Sequence, residues 1–257
     1  MKTPLKSSPR LGERWREAIV VVVVSIGTAA AQSFQPTAKE AELYTRIRDH
    51  AQQQRVQVVL DPRLCSAARK QAQDTQQRKF FAHVNPDGVN SNQRVINEGY
   101  PLPSHYAPTQ NYVESMAGSV ADTPADAVQL WTSSSAHANH VFGKTAFYRE
   151  QVVIGVGHAP PQAWGYATYV FISAPPPVGQ LWSMTKPQAS RTSVSTDASG
   201  AIWITGPQPQ AILEVWKSPS LGSWTLDRCV VMPASGRIQI GVKSGPEAFY
   251  RIGYYQP

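Results

Sequence analysis

Apolar residues recur at helical spacing in the first third of the chain and at alternate positions further on, and the elements follow from those two periods. Leu43, Ile47 and Ala51 put one apolar face on a helix predicted over residues 39–54, and the β-branched run 56–60 reads as a short strand. Asp61-Pro62 then pairs a capping aspartate with a proline at the first helical position. The helix it opens turns Leu64, Ala67, Ala68 and Ala72 inward and Arg69, Lys70, Gln73 and Gln77 to water, until Phe80-Phe81 delivers the chain to His83. A histidine so placed is expected at the helix C-terminus, which favours its charged form. Pro86-Asp87-Gly88 forces a turn directly afterwards.

Residues 92–98 form a short helical candidate stopped by Gly99, and the proline-bearing stretch 101–110 is a surface loop. Thr123-Pro124-Ala125-Asp126 has the arrangement of a capping box and opens a helix to about Ser133, with Ala127, Val128 and Trp131 as its buried face. Residues 152–159 and 164–172 alternate as paired strands. In the first of them Ile154, Val156 and His158 share one face, and Gly155, Gly157 and Ala159 share the other. Two glycines on one face imply close packing against a neighbouring element. Helices first and strands later predict an α+β layered domain over residues 38–174.

Pro175-Pro176-Pro177 begins a stiff linker, 175–190, beyond which the character changes. The runs 201–205, 211–216, 224–231, 237–242 and 248–254 are separated by Gly, Pro and Ser, the spacing of a small β-sandwich occupying 191–257. That unit holds no histidine: all six lie between residues 50 and 158, so side-chain chemistry near neutral pH belongs to the first domain.

Composition sharpens the class. At 257 residues, 42% hydrophobic and 16% charged, the chain has room for two modest folded domains. Five of its basic residues and two acidic ones precede the apolar run at 18–28, which ends in Ala29-Ala30-Ala31; this reads as an export signal over residues 1–31, cleaved near Ala31. The mature chain is then expected outside the cytoplasm, secreted or periplasmic. The 14 apolar or small residues from 18 to 31 fall short of the roughly 20 that span a bilayer, so no membrane span is expected after cleavage. Without the signal the net charge drops from +7 to +4, and no Lys/Arg block remains to suit a nucleic acid. Two cysteines, Cys65 and Cys229, are no disulfide framework. Cys65, inside an alanine-rich helix, reads as a small buried hydrophobe, and a bridge between domains would demand close Cα approach.

The residues that could carry chemistry are His83, Glu114 and His137, each at the end of a predicted element. Two imidazoles and a carboxylate could hold a divalent metal such as zinc with one position open, form a general acid/base pair around a water, or brace loops at the rim of a cleft. His140, one turn from His137, is no obvious ligand partner, and His158 reads as a satisfied core or rim histidine. Ser133, Ser134 and Ser135 stand near His137 with no nucleophile elbow around them. His50 and His105 are expected to face solvent.

His83-x-x-Pro86-x-Gly88, Glu114-Ser115-Met116-Ala117, and Ala127-Val128 with Trp131-x-x-Ser134-x-x-His137 together resemble the bacterial branch of the CAP superfamily, which includes cysteine-rich secretory proteins, antigen 5 and plant pathogenesis-related proteins. The likeness runs from about Glu40 to Ser173. It implies an exported α-β-α sandwich with a central cleft in which His83, Glu114 and His137 take the family's histidine and glutamate positions, with Ser134 and His140 beside them. Where the family usually carries an asparagine after the glutamate, this chain has Ser115; Ala138 replaces the arginine after the second histidine, and Ser134 a second acid. The function the resemblance implies is binding of a lipid-like or cell-envelope ligand in that cleft; the chain is expected to be a monomer, with a divalent metal such as zinc the one cofactor its residues suggest. The alternative is a zinc hydrolase with His83 and His137 as ligands and Glu114 as base.

Overall fold

Capping chemistry sets where the helices begin. The Thr37 hydroxyl accepts from the Glu40 N–H at 3.3 Å while the Glu40 carboxylate accepts from the Thr37 N–H at 2.8 Å, a reciprocal box that opens α1 (Ala38–Arg48). Asp61 accepts from the Arg63 and Leu64 N–H groups at 2.7 and 3.4 Å and opens α2 (Pro62–Arg78). Beyond α3 (Ser91–Asn97), Thr123 accepts from the Asp126 N–H at 3.1 Å to open α4 (Pro124–Thr132), which is followed by α5 (Ser135–Val141) and α6 (Ala146–Arg149). α1 stops at Arg48, short of the predicted residue 54. Ala51 is exposed, and the Gln54 N–H donates to the carbonyl of Phe142 at 2.9 Å, a partner distant in sequence.

This computed structural model describes residues 32–162, 164–177, 193–206, 211–219, 223–242 and 249–255; the predicted signal and most of the linker lie outside them. The strands are β1 (Ser33–Phe34), β2 (Val59–Leu60), β3 (Glu114–Ser119), β4 (Val153–Ala159), β5 (Ala167–Ala174), β6 (Ser193–Thr196), β7 (Ala201–Thr205), β8 (Ile212–Ser218), β9 (Thr225–Val231), β10 (Arg237–Val242) and β11 (Phe249–Tyr255). Only the last two residues of the predicted strand 56–60 pair, because Val56 is 73% exposed and off the sheet.

The first domain is built on a sheet of order β2-β4-β5-β3, with β2 parallel to β4 and the other pairs antiparallel. Alternate side chains of β5 go to opposite layers, as pleating requires. Tyr169 and Phe171 join Leu43, Tyr44, Ile47, Val128 and Trp131 from α1 and α4, whereas Val170 and Ile172 join Leu64, Ala68 and Ala72 from α2. The result is an α-β-α sandwich. The two glycines of β4 set the closeness of the α2 layer: a Cβ on Gly155 would lie 2.2 Å from the Leu64 carbonyl carbon, and one on Gly157 2.2 Å from that of Ala68. Helix backbone thus rests directly on strand backbone.

The C-terminal strands form sheets of order β1-β9-β8-β11 and β10-β7-β6. They face one another across Ile204, Leu213, Val215, Val230, Met232, Ile238 and Ile240, a β-sandwich core. The first of these sheets is buried on its other face too, where Trp216, Leu226 and Cys229 pack with α1 and the central sheet. β1, which precedes α1 in sequence, adds to β9 with Ser33 opposite Val230 and Phe34 opposite Cys229. The appended strands therefore share a core with the helices, and residues 33–34 are woven into the C-terminal sheet.

Candidate functional site

The site gathers at the N-terminal end of β3, the edge strand of the central sheet. His83 comes from the loop after α2, five residues past Arg78 and away from the helix carbonyls expected to face it; its Nδ1 meets the Glu114 carboxylate at 2.8 Å. The loop is pinned by Asn85, whose side-chain oxygen accepts from the N–H groups of Asp87 and Val89 at 3.1 and 2.9 Å, and by Gly88 at φ 78°, a conformation glycine alone adopts freely. Glu114 itself is held through its backbone by Asn111, which accepts from the Glu114 N–H at 3.0 Å and donates to its carbonyl at 3.1 Å.

Arg94 on α3 completes the arrangement. One guanidinium nitrogen donates to the second Glu114 oxygen at 2.7 Å, and another donates to the carbonyls of His83 and Val89, both at 2.8 Å. A single side chain thus neutralises a carboxylate with no exposed surface and ties down the loop that carries the histidine. Because a carboxylate only accepts, the network assigns the Nδ1 proton to His83 and turns its Nε2 outward.

His137 arrives from the opposite layer on α5, its Nδ1 hydrogen-bonded to the Ser134 hydroxyl at 2.8 Å. Partial burial, and then the nearby His83, hold its pKa below the ordinary histidine value. Neither His83 nor His137 has a hydrogen-bond partner for its Nε2 among the described residues. His83 keeps 39% of its side chain exposed, and Phe81 and Val84 stand out beside it at 44% each.

His140, expected in the cleft, lies beneath it instead. Ser115, on the other face of β3 from Glu114, meets its Nδ1 at 2.7 Å, and Ser173 meets its Nε2 at 2.9 Å. Ser173 passes its own proton to Gln151 at 2.6 Å, so the chain of donors assigns Nε2–H to His140 and leaves Nδ1 to accept from Ser115. Complete burial and then the adjacent Arg55 drive the His140 pKa well below the ordinary value. Arg55 donates to the carbonyls of His140, Val141 and Gln151 at 2.6, 2.7 and 2.7 Å, clamping the C-terminal end of α5. His158 is satisfied at the far end of β4 by Asp122, at 2.8 Å. His105 is exposed, but His50 stacks on Phe142 with ring centroids 4.2 Å apart.

Arg94 and Arg55 escaped the sequence reading. Arg94 shares a short helix with buried Val95 and exposed Ile96, so apolar spacing did not mark the inward face. The only available signal was an arginine in a stretch otherwise free of charge.

The arrangement suits binding better than acid/base work. Both Glu114 oxygens are occupied, so it is neither a free base nor an open ligand. Among the described residues no three His, Cys, Asp or Glu side chains converge to hold a metal ion, and two imidazoles fall one short of the protein ligands of a catalytic zinc.

The family model for CAP, the cysteine-rich secretory protein family, matches residues 41–173. This chain belongs to that family. Its CAP match thus contains every residue of the site and the central sheet except Ala174, the last residue of β5. Among solved structures it is similar to an outer surface protein of Borrelia burgdorferi, at 17% identity and TM-score 0.40, covering 56% of this chain and 98% of that one. An extracellular protein containing a SCP domain from Bacillus anthracis is similar at 17% identity and TM-score 0.39, over 52% of this chain and 41% of that one. A comparison with curated proteins gives no match.

Proposed function

We propose that this CAP protein works outside the cytoplasm as a binder of a lipid-like or cell-envelope molecule, with the His83–His137 pair as the polar contact. The reading is carried by the Nε2 atoms of His83 and His137, which no described residue hydrogen-bonds, with His83 seated on the Glu114–Arg94 pair beside the exposed Phe81 and Val84. Two imidazole edges recognise a small head group that accepts or donates hydrogen bonds, and the phenyl and isopropyl groups offer apolar surface to the body that follows it. The export-signal pattern at residues 1–31 supports the location.

The test is a thermal-shift titration of the mature chain with a saturated fatty acid and with a sterol, each below its aggregation limit. Binding raises the melting temperature of the wild type, and His83→Ala/His137→Ala abolishes the rise. If neither probe moves the wild type, the lipid-like ligand class is wrong; an equal rise in the double variant places the ligand elsewhere.

A further inference from the structure

Cys65 is the fourth residue of α2, Cys229 lies on β9, and neither has exposed surface. They are the only cysteines in the chain and stand 164 positions apart, yet both are free thiols buried in one core cluster, where β9 packs on α2. The Cys229 thiol also faces the Phe34 carbonyl, 3.9 Å away on β1. The strand carrying Cys229 has no covalent route to α2 except through the long stretch between them. We propose that Cys65 and Cys229 are the two halves of a disulfide that staples the C-terminal sheet onto α2.

Thiols buried in one cluster from elements so remote in sequence are the pair whose cross-link most restricts the unfolded chain. The link forms by exchange with a small-molecule or protein disulfide. One cysteine thiolate attacks that donor, giving a mixed disulfide and releasing one donor thiol. The second cysteine thiolate then attacks the protein sulfur of the mixed disulfide and releases the other donor thiol. Two electrons pass from the cysteines to the donor, and the two cysteine protons end on the two released thiols. Arg69, one turn on from Cys65 along α2, is the cation that favours a thiolate, while Asp61 and Glu214 oppose one at Cys229. Neither cysteine has exposed surface once the chain is folded, so exchange precedes the docking of β9 on α2. The staple is independent of the cleft reading.

The full chain, unfolded and fully reduced, is refolded either with a mixture of reduced and oxidised glutathione or with reductant alone, then alkylated in denaturant and weighed. The glutathione sample is expected to take up no alkylating agent, to be lighter by two hydrogens, and to yield a peptide joining Cys65 to Cys229. It should melt several degrees higher than the reduced sample, a difference absent in Cys65→Ala/Cys229→Ala. Two alkylated cysteines, separate glutathione adducts or a cross-link between chains would overturn the proposal, as would a double variant that keeps the reductant effect. If the double variant fails to fold, the alkylation count on the wild type still decides.

Discussion

Glu214, on β8, accepts a hydrogen bond from the Tyr44 hydroxyl of α1 at 2.5 Å. The same oxygen accepts from the Leu60 N–H at 3.3 Å, and the other accepts from the Trp216 indole at 3.3 Å. A carboxylate from the C-terminal sheet therefore completes the hydrogen bonding of the CAP domain's first helix and first sheet strand. Glu214→Ala leaves the Leu60 N–H without an acceptor and is expected to cost about 2–3 kcal/mol, read from urea unfolding. Tyr44 keeps a weaker bond to the Val58 carbonyl at 3.2 Å.

The same residue predicts a pH dependence. Burial raises the Glu214 pKa above its ordinary 4.5, against the hydrogen bonds that lower it. A carboxyl raised in the folded state binds its proton more tightly there than in the unfolded chain, so folding loses stability as pH rises from 4.5 through the folded value. Glu214→Gln removes that term. Its stability relative to the wild type should improve as pH rises across the window; a constant difference would show that Glu214 does not titrate with folding.

His137 and His140 act in the opposite sense. Their pKa values lie below the ordinary 6.5, so their contribution is present above that pH and is lost as pH falls. His140, fully buried, should dominate the acid limb, and His140→Gln should flatten it in a series of denaturant midpoints. In the same spirit, His83→Ala should move the His137 titration, followed by NMR, up toward 6.5 without reaching it, since burial remains the larger cause. An unmoved midpoint would mean that the two rings do not sense each other.

Arg94→Ala strands a carboxylate that has no exposed surface and frees the loop carrying His83. A loss of about 3–5 kcal/mol is expected, larger than that of His83→Ala. Chemical denaturation of both variants compares them, and a smaller loss for Arg94→Ala would remove Arg94 from its place as the organiser of the site.

Gly157→Ala places a methyl 2.2 Å from the backbone of α2 at Ala68, where no flexible side chain can yield. The cost should be at least about 2–3 kcal/mol. By contrast Gly88→Ala meets no atom within 4 Å and is strained only through its positive φ, so its penalty should be smaller in the same unfolding assay.

How far the chain could be read without coordinates depended on the range of each interaction. Asp61-Pro62, Thr123-Pro124 and the glycine pair of β4 announced their roles because a cap or a close approach is written within a few residues. Gln54, Arg55 and Arg94 gave no such notice. Their partners Phe142, His140 and Glu114 are between 20 and 88 positions away, and no local period encodes them.

The amino-acid order alone determined the capped starts of α2 and α4, the alternation of β4 and β5, the layered first domain and the candidate trio His83, Glu114 and His137, since backbone stereochemistry and side-chain polarity act locally. Tertiary structure alone decided that Glu114 is neutralised by Arg94, that His140 lies under the cleft, and that β1 and Glu214 bind the C-terminal strands and the first domain into one core. Those outcomes rest on which buried polar group finds which partner, and that choice is made only when distant segments exclude water together.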